Sequence, residues 1–178
     1  MKKMLFVLSL VTVLFIVNGC KEDSTTTTET PKDPIVGTWV CEGNNVPLGL
    51  RVAPFRVKKI VATFNENKSY TVVQTDSADV NTTFTGTYTN TESTFKDTVS
   101  ASLTKDAKII NIVAKQATPA VVTATGIYAI NATNMSYEVI QTEPALTGVT
   151  PPTAEKGFGS TGIGGVAYPI YIQKYVKQ

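Results

Sequence analysis

Polar and apolar residues alternate with period two along most of this chain. The clearest case is residues 83–89, where Thr83, Thr85, Thr87 and Thr89 alternate with Phe84, Gly86 and Tyr88. Successive strand side chains point to opposite faces, so this pattern predicts a strand with one wet face and one buried face. The same spacing puts Gly37, Trp39 and Cys41 on one face of an opening strand, and Ile60, Ala62 and Phe64 on one face of the next. Asn65-Glu66-Asn67-Lys68 predicts a turn into Ser69–Gln74. Val99, Ala101 and Leu103 mark a weaker strand, and Lys105-Asp106 a turn into Lys108–Ala114. In Val121–Ile130, the residues Val122, Ala124, Gly126, Tyr128 and Ile130 share a side. Residues 131–134 turn the chain into Met135–Gln141, and Ala167–Val176 is the last strand. About nine antiparallel strands joined mainly by short turns are the pattern of an up-and-down barrel or a sandwich.

Two segments break the alternation. Residues 44–56 form a long and unusually apolar connection, and residues 143–165 a second one with three prolines and six glycines. Long loops in a compact domain are uncommon and often act as lids or binding loops.

Composition supports the all-β reading. The 28 threonines, with many valines and tyrosines, suit a pleated, half-buried surface. Residues 21–33 carry no apolar side chain apart from proline and cannot offset the entropy of ordering, so a flexible tether is expected. The remainder, residues 34–178, is long enough for one domain with a real core. Cys41 is read either as a small buried apolar residue or as a reactive thiol.

The first two dozen residues have a separate logic. Met1-Lys2-Lys3 precedes an apolar run of 14 residues, Met4 to Val17, followed by Val17-Asn18-Gly19-Cys20. As a helix the run spans about 21 Å, too short for a hydrocarbon core of roughly 30 Å. A basic start, a short apolar core and a small residue at the cut make a secretory signal over residues 1–19. The ending resembles a bacterial lipobox, which implies an acylated Cys20 at the head of the mature chain and attachment to the membrane through that lipid. Each buried methylene of such chains contributes about 0.8 kcal/mol. Cys20-Lys21-Glu22-Asp23 also resembles the surface-export signal of Bacteroidota lipoproteins, implying an outer-membrane anchor with display at the cell surface. The formal charge of +2 is carried by Lys2 and Lys3, so the mature chain is neutral. No basic stripe interleaved with aromatics is present, and nucleic acid is not an expected partner.

Gly37-Thr38-Trp39 resembles the Gly-x-Trp signature of lipocalins. Thr85-Gly86-Thr87-Tyr88 and Thr125-Gly126-Ile127-Tyr128 resemble the Gly-x-Tyr strands of small lipocalin-like domains in bacterial envelope lipoproteins. The resemblance implies an antiparallel up-and-down barrel of about 8–10 strands, with Gly37 and Trp39 at its closed floor. A basic residue near the last strand would cover the indole, and Lys174 is the candidate. It further implies a lid formed by Leu48, Leu50, Val52 and Phe55, and a ligand lining that includes Phe84, Tyr88, Tyr128 and Tyr137. Trp39 is also compatible with a core position in another β fold.

Other chemistry is scarce. The chain has no histidine, which removes imidazole-based triads and imidazole metal ligands. Gly157–Gly162 spells a dinucleotide-binding pattern but is not followed by a helical sequence, so a loop is expected. Asp76 and Asp79 read as a solvated turn better than as a calcium site. Asp23-Ser24-Thr25, Asp76-Ser77-Ala78 and Asp97-Thr98-Val99 resemble the O-glycosylation sequon of Bacteroidota envelope proteins. No enzyme activity and no cofactor are expected. Two functions follow: a carrier of a small apolar or amphipathic ligand, or an interaction module with a filled barrel whose loops bind an envelope protein or glycan.

Overall fold

The computed structural model describes residues 33–178 apart from Ala101; Cys20 and the rest of the leader and tether lie outside the described residues. Eight strands close an antiparallel barrel: β1 (Gly37–Glu42), β2 (Val57–Phe64), β3 (Ser69–Asp76), β4 (Asn81–Lys96), β5 (Lys108–Thr118), β6 (Val122–Asn131), β7 (Asn134–Glu143) and β11 (Gln173–Lys177). Each pairs with its neighbours in this order, and β11 returns to β1. This is the up-and-down, lipocalin-like architecture, and closure leaves the barrel sheet without an edge strand. Three two-residue strands, β8 (Val149–Thr150), β9 (Gly162–Ile163) and β10 (Val166–Ala167), form a small separate sheet in the long connection after β7.

The register defines two ends. Gly37 faces Phe64 and Glu42 faces Lys59, so the turn at 65–68, loop 97–107, the turn after β6 and both described termini gather at one end. Segments 43–56, 77–80, 119–121 and 144–172 gather at the other. The second end carries the two long connections and a single-turn helix, α1 (Leu48–Arg51). Ser77 N–H donates to the Arg56 carbonyl at 2.9 Å, tying the α1 segment to the β3–β4 turn.

Alternation fills the barrel. Trp39, Ile60, Phe64, Tyr88, Tyr128 and Tyr175 all belong to one buried cluster of interior side chains. Phe64 stands at the centre of an aromatic group, 5.2 Å from Tyr88 edge-on and 6.2 Å from Tyr137. Such ring pairs contribute about 0.5–1.5 kcal/mol beyond their buried area. The glycines of the Thr-Gly-x-Tyr strands have a steric reason. A Cβ on Gly86 would lie 2.1 Å from the Lys115 carbonyl oxygen, and one on Gly126 2.0 Å from that of Glu138. The neighbouring backbones close in at these points, where only glycine fits.

Three sequence expectations change. The weak strand around Val99 and Leu103 does not form. Asp97 accepts the Thr104 hydroxyl at 2.7 Å and the Val99 N–H at 3.1 Å, and the hydroxyl oxygens of Thr104 and Ser136 lie 2.8 Å apart within hydrogen-bond reach. Side chains of this kind offer the backbone an alternative to a ladder, and the chain between β4 and β5 becomes a polar loop held against Ser136 on the outward face of β7. The last strand is split, because Pro169 lacks an N–H and opens a 3-10 turn, Pro169–Tyr171, between β10 and β11. The two long connections are also more ordered than bare loops, holding α1 and the small sheet.

Part of the second connection lies on the barrel's outer wall. Ala154 and Phe158 pack on Ile109, Ile127 and Ala129, which point outward from β5 and β6. Beside them Glu138 of β7 is fully buried and accepts Gly159 N–H at 2.6 Å, Thr161 N–H at 3.1 Å and the Thr161 hydroxyl at 2.6 Å. A buried carboxylate persists only when hydrogen-bonded in this way. The Gly157–Gly162 pattern is therefore a strap over the barrel wall, with no helix after it.

Candidate functional site

The closed end is built from Trp39 outward. Gly37 has φ +132°, a conformation that L side chains rarely adopt, and it brings the incoming chain against the Lys177 stem. Trp39 is fully buried, and its indole N–H donates to the Ile35 carbonyl at 2.7 Å. The cation over its ring is Lys177, with Nζ 4.9 Å from the centroid; Lys174, expected in that role, is corrected by this contact. Lys174 pairs with Ser136 on the outward phase of β11, whereas Gln173, Tyr175 and Lys177 share the inward phase.

A polar network seals the same end. Asp33 accepts Lys68 Nζ at 2.6 Å, Asn90 Nδ2 at 2.7 Å and Ile35 N–H at 3.2 Å, and Asn90 Nδ2 also reaches the Tyr128 hydroxyl at 2.8 Å. Burial alone would raise the Asp33 pKa, but the bonds from Lys68 and Asn90 hold the carboxyl below its ordinary range. The sequence assigns Asp33 to the end of the tether; charge and hydrogen bonding tie it to the barrel. Tyr88 and Tyr128, expected in a ligand lining, are buried here. Tyr88 donates to the Asn65 carbonyl at 3.2 Å, and burial pushes its phenol up to about 12. Both belong to the buried barrel core and neither lines the two cavities described next.

Above this plug the interior opens. A cavity of about 160 Å³ lies inside the upper barrel, lined by Phe64, Tyr70, Val72, Phe84, Tyr137 and Tyr175 among others. A second, of about 380 Å³, occupies the mouth between α1 and the long connection, with Leu50, Phe55, Leu146, Val149, Ile163 and Tyr171 in its walls. Gln74, Val139 and Gln173 line both. An apolar cavity of about 150 Å³ holds a benzene-sized molecule, and small-molecule sites commonly run from about 300 Å³ upward. Inner cup and mouth together therefore reach ligand size, which the cup alone does not.

Of the expected lining residues, Phe84 and Tyr137 border the inner cavity, and Leu50 and Phe55 the mouth. Leu48 and Val52 line neither cavity and are each 48% exposed. Gln74 was not singled out by its residue type; its signal is parity, since it follows Tyr70 and Val72 on the inward phase of β3. Leu146, Ile163 and Tyr171 carry no periodic signal, because their segment is irregular.

Cys41 is buried and free, and its thiol donates to the Asn45 carbonyl at 3.0 Å. Burial pushes the thiol up to about 12, so it behaves as a small core residue and not as a nucleophile. Asp76 caps its own turn through Ala78 N–H at 2.8 Å and Val80 N–H at 2.9 Å, and Asp79 pairs with Lys58. Ser77 and Thr98, the hydroxyl residues of two sequon-like triplets, are exposed.

Compared with models of protein families, with curated proteins and with solved structures, the chain finds no match in any of the three.

Proposed function

We propose that the protein is an envelope lipoprotein, anchored by acyl chains on Cys20, whose barrel carries a small amphipathic molecule in its open end. The observation that supports this most is the pair of adjoining cavities, apolar in their walls and reached beside Leu50 and Phe55. Asp33, the first described residue, is held at the closed end by Lys68 and Asn90, opposite the mouth. An outer-membrane position with the domain at the cell surface fits the lipobox-like and export-like residues around Cys20.

A second reading rests on the exposed apolar side chains at the same end, among them Val52, Phe55, Val121 and Val166. Such residues suit an interaction module that meets an envelope protein or glycan through its loops.

Two experiments test the proposal. Cys20→Ser should abolish labelling by a fatty-acid analogue; labelling that persists contradicts the anchor. For the cavity, Leu50→Asp with Phe55→Asp places charge where burial is expensive. Binding of the neutral fluorophore N-phenyl-1-naphthylamine should fall at least tenfold, about 1.4 kcal/mol, while melting shifts little because the mouth lies outside the core strands. Equal binding after the change favours the module.

A further inference from the structure

The walls of the two cavities define what they can accept. Neither is lined by Lys, Arg, Asp or Glu. The phenols of Tyr70, Tyr137 and Tyr175 are all raised by burial and stay neutral at physiological pH. A charged ligand group would therefore lose its water and gain no counter-charge. Two amides, Gln74 and Gln173, line both chambers, while Gln116 and the hydroxyls of Tyr70 and Tyr137 belong to the inner one alone. Gln173 Oε1 already accepts the Tyr175 hydroxyl at 2.6 Å. Among the described residues, none hydrogen-bonds the side-chain amide of Gln74, which lines both chambers. An amide offers one acceptor and two donor hydrogens. Partly buried where the chambers meet, Gln74 is, of the two amides that line both, the one with its acceptor and both donor hydrogens still to give.

Size sets the remaining limit. The inner chamber, at about 160 Å³, holds one six-membered ring or a short branched chain. The mouth, at about 380 Å³, holds the larger arm. We infer that the site selects an uncharged ligand with two apolar arms joined by a single hydrogen-bonding group, the smaller arm in the barrel and the joining group on Gln74. This rests on the carrier reading and narrows it: an amide, ester, ether or arylamine linker fits, and a free long-chain carboxylate does not.

The test uses three probes of one shape on the mature chain, residues 20–178 with Cys20→Ser so that no acyl chain competes. N-phenyl-1-naphthylamine is a ring and a fused ring pair joined by one N–H, its 8-sulfonate adds a charge, and 1-benzylnaphthalene replaces the N–H by a methylene. Fluorescence titration should show the neutral amine binding at least tenfold tighter than the sulfonate. Gln74→Leu should weaken the amine at least threefold relative to 1-benzylnaphthalene, measured by displacement, as expected for one hydrogen bond. Equal affinity for amine and sulfonate overturns the inference, and that comparison needs no variant. Equal effects of Gln74→Leu on the two neutral probes also overturn it, leaving the carrier reading in place. If no probe binds, the carrier reading falls and the inference falls with it.

Discussion

Lys177 lies over the indole of Trp39, its ammonium 4.9 Å from the ring centroid, and so joins the last strand of the barrel to the first at the closed end. The contact also covers the ring face that would otherwise open onto the floor. Trp39→Ala removes a fully buried ring and should cost roughly 3–5 kcal/mol. Lys177→Ala should cost about 0.5–2 kcal/mol, and Lys174→Ala less than about 0.5 kcal/mol, as at ordinary surface sites. Urea unfolding of the three variants checks the order. A Lys174 variant weaker than the Lys177 variant would contradict the contact.

Asp33 predicts an acid-sensitive floor. Its pKa is lowered in the folded state, so folding favours the carboxylate. The stability it contributes is fully present above the unfolded value of about 3.9 and is lost as pH falls through the lower folded value. Asp33→Asn should therefore be less stable than the parent at neutral pH, with the gap closing in strong acid. Thermal melts of both proteins from about pH 7 down to about pH 2 measure it. A gap that does not narrow would mean that the charge on Asp33 is not what holds the segment.

Glu138 predicts how firmly the strap is held. Glu138→Leu strips two backbone N–H groups and the Thr161 hydroxyl of their acceptor. Each orphaned buried group costs about 1–3 kcal/mol, so a loss of at least about 2 kcal/mol is expected. Hydrogen exchange should accelerate at Gly159 and Thr161 before it does in the strands. Unchanged exchange there would show that the apolar contacts of Ala154 and Phe158 hold the strap alone.

What the sequence revealed and what it concealed follow from range. The Thr83–Thr89 alternation and the period-two face of Val122–Ile130 are local, so strand identity and inward phase could be read directly, and Trp39 could be placed by its neighbours Gly37 and Thr38. Lys177 was missed because the choice between it and Lys174 depends on the phase of β11, which the Pro169 break resets. Asp33 was missed because its partners, Lys68 and Asn90, are distant in sequence and the tether around it has no apolar signal. The same holds for the mouth. Leu50 and Phe55 stand out as apolar residues in a loop, but Leu146, Ile163 and Tyr171 reach the cavity only through an irregular, glycine-rich connection. Val99 and Leu103 carry strand propensity that the hydrogen bonds of Asp97 and Thr104 override.

Native mass spectrometry tests the carrier proposal most directly. The chain would be exported in its native host on an ordinary cleavable signal, with Ser at position 20, and recovered without detergent. The account predicts a bound species of a few hundred daltons that leaves on denaturation and is lost from the Leu50→Asp, Phe55→Asp variant. A mass equal to the polypeptide alone for the unaltered chain, together with co-isolation of a protein or glycan on the exposed end, would contradict it.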